Sequence, residues 1–194
     1  MNKKLAAALS GTAVLVLVLS GCGDDSEEKV NDWAKKVCDA AEPQIQKRAD
    51  AQQAIISTAA DGEPADIQAA DSKAFADIAA ADNALAKAVR DAGVPPVENG
   101  EQLQNDAVKE LEATAAEYLK LKDQIDQLNP DDQQKFADGL QGVADGLKKI
   151  ETMDQEALNK LQSGELGAAM ANQPGCQRAD ASSPASGSSA SPAA

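Results

Sequence analysis

The side chains of this chain best suited to chemistry are three cysteines, Cys22, Cys38 and Cys176, and an excess of carboxylates. A thiol can carry a covalent lipid, pair as a disulfide or ligate a soft metal. No Cys-x-x-Cys occurs, and histidine is absent altogether. That removes the commonest general base and the commonest metal ligand together. A nucleophilic serine would then need lysine as its base, and no Ser-x-x-Lys stands where a site could form. Gly-x-Ser-x-Gly and a phosphate-cradling glycine loop are also missing. Glu110, Glu112 and Glu117 offer a carboxylate pair in principle. They lie off the apolar seam of their segment and are expected to face solvent. The twice-repeated Asp-Gly of Asp138-Gly139 and Asp145-Gly146 lacks the oxygen-ligand spacing of a calcium loop. No enzyme, cofactor or metal is expected.

The cysteine nearest the start has a distinctive setting. Lys3 and Lys4 precede an uncharged apolar run from Leu5 to Leu19, 15 residues long. A helical bilayer span needs about 20 residues, so the run suits an export signal better than a membrane anchor. Leu19-Ser20-Gly21-Cys22 closes it with small residues before the thiol. This stretch resembles the lipobox of bacterial lipoproteins. The resemblance implies cleavage between Gly21 and Cys22 and a diacylglyceryl thioether on Cys22. It places the rest of the chain on the outer face of the cell membrane. Two acyl chains matter because one alone anchors a protein only marginally. Gly23 to Glu28, small and acidic, reads as a short flexible tether.

With Cys22 given to lipid, Cys38 and Cys176 remain, in a compartment that permits disulfides. A bond between them is expected. In the chain-entropy picture, so long a loop would stabilise the fold by about 4–5 kcal/mol, less any native strain. The formal charge of −14 argues against nucleic acid and anionic lipid surfaces as partners. Only four aromatic residues occur, Trp33, Phe75, Tyr118 and Phe136, so the core must come from Ala, Leu, Ile and Val.

Periodicity predicts helices throughout. From about 27 to 60, Val30, Trp33, Val37, Ala41, Ile45 and Ile55 share one arc. The phase is unchanged across Pro43, which predicts a kink rather than a break. A second helix is expected over 65–92, ended by Gly93 in a left-handed cap and by Pro95-Pro96. A third covers 100–128 along Ala107, Leu111, Thr114, Tyr118, Leu121 and Ile125. Asn129 as cap and Pro130 at the first position predict a fourth over 130–151. Gly139, Gly142 and Gly146 lie beside its apolar stripe and are read as points of close helix approach. A short fifth helix is expected over 154–163, with residues 165–172 extending it or forming a further turn.

The chain is therefore read as all-α. Residues 1–21 form the signal, 22–28 the lipidated tether, 29–178 an antiparallel bundle of about four helices plus a short C-terminal helix, and 179–194 a Ser/Ala/Pro tail with nothing to bury. The lipobox, Val37-Cys38-Asp39, Pro174-Gly175-Cys176 and the tail together resemble small Ala-rich lipoproteins of high-GC Gram-positive bacteria. That resemblance implies location rather than mechanism. The function expected is that of a membrane-anchored envelope protein acting through protein contacts, with Trp33 and Tyr118 as possible contact residues unless they pack at the core edge. Two alternatives stand beside it: carriage of a small or lipidic ligand between helices, and a structural spacer. A large apolar cavity would point to the carrier.

Overall fold

The structure, a computed structural model, describes residues 24–153 and 155–177. The export segment, the Gly21/Cys22 cleavage and lipidation site, Asp154 and the tail 179–194 lie outside the described residues. Six helices follow one another: α1 Asp24–Asp61, α2 Pro64–Asp91, α3 Gly100–Asp126, α4 Gln133–Glu151, α5 Glu156–Leu161 and α6 Gly164–Ala171. A last helical turn at 174–177 carries Cys176. The fold is the expected all-α bundle closed by a disulfide. The long antiparallel helices α1, α2 and α3 form its body. α4 and α5 pack on α3, and α6 packs on α1 and α5.

Helix α1 runs unbroken through Pro43, whose ring sits on the exposed face. There the lost hydrogen bond is left to water and nothing packed is disturbed. The helix begins at Asp24, so Asp24 to Glu28, expected as a flexible tether, form its first turns. Acidic residues suit that end, where the helix dipole is positive. Helix α2 stops as expected: Gly93 takes φ 85°, and the chain turns away through Pro95. Helix α4 starts later than the Asn129-Pro130 signal suggests. Its cap is Asp132, whose carboxylate accepts from the Lys135 amide at 3.2 Å. Pro130 lies in the turn before it.

Two apolar clusters divide the interior. One joins Val30, Trp33 and Val37 of α1 to Val89 of α2, Leu111 of α3, Leu161 of α5 and Leu166 of α6. The other joins Phe75 and Ile78 of α2 to Tyr118 and Ile125 of α3 and to Phe136, Val143 and Ile150 of α4. The α4 glycines account for its close fit. A Cβ on Gly139 would stand 2.3 Å from Leu128, and one on Gly146 2.3 Å from Leu121. Gly142 meets nothing within 4 Å, so close approach explains two of the three glycines.

Glutamines on neighbouring helices satisfy the orphan carbonyls at helix ends. Gln104 of α3 donates to Val89 O and Gly93 O, each at 2.8 Å. Gln68 of α2 donates to Ile125 O and Leu128 O, again at 2.8 Å.

Candidate functional site

A cleft of about 370 Å³ opens between the three long helices and the short α5 and α6. Val37 and Ile45 of α1, Leu85 of α2 and Leu111 of α3 line its walls. Leu158, Leu161 and Met170 of α5 and α6 form the roof, and Gln155 and Gln162 also border it. The lining is thus mostly aliphatic, with Arg48, Asp82 and Thr114 as the polar groups drawn from the long helices.

Two devices hold the roof in place. The first is the disulfide. Cys38 and Cys176 are bonded, with Cα atoms 5.1 Å apart, which ties the segment after α6 to α1. Gly175 makes that approach possible, since a Cβ there would stand 2.4 Å from Cys38 O. The second is Glu110, which accepts from the Ala157 amide at 2.9 Å and the Leu158 amide at 3.0 Å. It caps α5 from α3, so it is not the solvent-facing carboxylate that its register suggested. A carboxylate at a helix N-terminus satisfies orphan N–H groups and complements the helix dipole.

Two polar groups of the cleft, Arg48 and Asp82, lie within the apolar stripes of α1 and α2. Asp82 is 0% exposed, and its Oδ1 accepts from Arg48 Nη1. The Arg48 side chain is 28% exposed, and its guanidinium lies 5.9 Å from the Tyr118 ring centroid. Burial lowers the Arg48 pKa, opposed by the attraction of Tyr118 and a hydrogen bond to it. The ordinary value is so high that the guanidinium stays charged at neutral pH. Asp82 Oδ2 has no hydrogen-bond partner among the described residues. A buried acceptor left open costs about 1–3 kcal/mol and calls for an explanation. Thr114 spends its hydroxyl proton on Glu110 O at 2.9 Å, leaving its oxygen as an acceptor.

A second carboxylate, Asp71, is buried on α2 about three turns before Asp82. Burial raises its pKa to about 6, and its Oδ1 is likewise unpartnered among the described residues. It does not border the cleft.

The remaining expected site residues are dispersed. Trp33 is 3% exposed and donates through Nε1 to Gly93 O at 2.7 Å, which fastens α1 to the end of α2. Tyr118 is 8% exposed and packs beside Phe75, ring centroids 6.2 Å apart. Both are buried, in keeping with the core-packing alternative set beside a contact role. Glu112 pairs with Arg90. Glu117 pairs with Lys120 and Lys149, whose hydrogen bonds lower its pKa. Each of the three glutamates is thus engaged by different groups. Among the described residues, no group of three or more potential ligands converges on a metal position, and no helix is long and apolar enough to cross a membrane.

Compared with protein-family models, curated proteins and solved structures, the chain shows no significant match.

Proposed function

We propose that this chain is an exported lipoprotein, anchored through Cys22, whose helical bundle holds a small and mainly apolar ligand in the cleft beneath α5 and α6. The observation that carries the reading is the cleft itself. Its volume of about 370 Å³ falls within the ~300–1,000 Å³ of small-molecule sites. Its lining has the composition of such sites, aliphatic walls with few polar groups. The burial of Trp33 and Tyr118 weakens the alternative of action through protein contacts, because those aromatics were its anchors. Carriage fits the polar groups better than turnover does, since an ion pair and an engaged hydroxyl supply no activated nucleophile. Anchoring rests on Leu19-Ser20-Gly21-Cys22 and on the short apolar run before it.

The test is uptake of a fluorescent apolar probe, N-phenylnaphthylamine, by the membrane-anchored protein. Saturable uptake is expected, and Met170→Trp should abolish it while retaining a cooperative melting transition. Uptake equal in the native protein and this filled variant would refute the carrier reading. Anchoring is tested separately by Cys22→Ala, which should be unprocessed or released to the medium; normal membrane retention would refute the lipoprotein assignment.

A further inference from the structure

We infer that the cleft selects a neutral amphiphile with a hydroxyl head, in preference to a fatty acid or an alkyl amine. The inference rests on the carrier reading and specifies its ligand. It starts from the two opposite charges that line one cavity. Asp82 is fully buried, uses Oδ1 for Arg48 and leaves Oδ2 without a partner among the described residues. Arg48 carries five N–H donors in a planar fork, more than its contacts with Asp82 and Tyr118 consume.

A ligand head at the base of the cleft finds spare donors on the part-exposed Arg48 and, once it displaces the side chains that seal Asp82, an acceptor without a partner among the described residues. A hydroxyl donates one proton and accepts through its lone pairs, so it serves Asp82 Oδ2 and the guanidinium at once. A carboxylate only accepts. It would engage Arg48, but it would lie against the buried Asp82 charge and leave Oδ2 unsatisfied. An ammonium only donates. It would satisfy Asp82 but be repelled by Arg48. Like-charge repulsion is strong where water is excluded, so both charged heads are disfavoured. The ion pair is thus retained as a neutral polar floor, while Leu85, Leu158, Leu161 and Met170 surround the alkyl body. Aliphatic alcohols and monoacylglycerols have the required head.

The experiment is a calorimetric titration of the lipid-anchored protein in phosphatidylcholine nanodiscs with decanol, decanoate and decylamine, the heats of empty discs being subtracted. Decanol should bind at least tenfold more tightly than either charged probe. Asp82→Asn should shift the preference to decanoate by a similar factor, because Arg48 loses its counter-charge. Should that variant not fold, the double variant Arg48→Met/Asp82→Leu removes both charges, and the advantage of decanol over the charged probes should change by tenfold or more. Equal or tighter binding of decanoate or decylamine to the native protein would overturn the inference and leave the carrier reading standing. Absence of specific heat with all three would overturn both.

Discussion

The two ends of the bundle solve the same problem in different ways. Three long helices leave a face to be covered at each end. At one end α4 covers it with a continuous apolar stripe, and the interior there takes three of the four aromatics, Phe75, Tyr118 and Phe136. Glycines at 139 and 146 let α4 settle against Leu128 and Leu121. At the other end two helices of 6 and 8 residues form the cover. Such short helices are marginal in isolation and depend on external fastening. The Cys38–Cys176 bond and the Glu110 cap supply it. A long helix can sink into the groove it covers, whereas a short roof fastened at its edges spans a space. The cleft lies beneath the roof.

The largest test of this difference is removal of the roof's covalent fastening. Cys38→Ser should destabilise the domain by about 4–5 kcal/mol in the chain-entropy picture and weaken probe uptake. Melting curves with and without reductant measure this on the native protein, and coincident curves would contradict it. Next comes the packed end. Phe75 is almost fully buried. Phe75→Ala should cost about 3–5 kcal/mol in denaturant titrations, yet probe uptake by the folded fraction should persist.

A smaller effect tests a buried charge away from both covers. Asp71 has a folded pKa of about 6, above its ordinary 3.8. Between about pH 3.8 and 6 the folded protein therefore keeps a proton that the unfolded chain has released. This group's contribution is most favourable below about pH 3.8 and declines as pH rises to about 6. Asp71→Asn removes that decline. The variant should gain on the order of 1–3 kcal/mol over the native protein at pH 7, with the difference fading below about pH 4. A difference independent of pH would show that folding leaves the Asp71 pKa at its unfolded value. Smallest is a pair of glycine substitutions on α4. Gly142→Ala should raise stability by about 0.5–1 kcal/mol, since its Cβ meets nothing within 4 Å. Gly146→Ala should gain less or lose, because Leu121 must move. Equal melting temperatures for the two would remove the close-approach explanation.

Much of the fold was legible in the chain because apolar periodicity is a local signal. The stripe of α3, the continuity of α1 past Pro43 and the stop at Gly93 all follow from neighbouring residues. What escaped that reading depends mostly on partners distant in the chain, the cap of α4 being a local exception. Asp132 outcompetes Asn129 as the α4 cap because its carboxylate meets the Lys135 amide. Glu110 looks solvent-facing by register, yet α5 returns over it with two amides. The cleft's polar floor did leave a trace. Arg48 falls in phase with Ile45 and Ala51 on α1, and Asp82 in phase with Ile78 and Leu85 on α2. A charge inside each of two apolar stripes is a signal for an interhelical pair. Its meaning emerges only when the pairing of the stripes is known. The roof was the least legible element, because helices so short show too few repeats to define a buried face.

The most direct test of the cleft as the ligand site is nitrogen–proton NMR of the protein during addition of decanol. Shift changes should gather on Ile45, Asp82, Thr114, Leu158 and Met170, spare Phe136, Val143 and Ile150 under α4, and disappear in Met170→Trp. Changes centred on the α4 end, or none that saturate, would contradict the account.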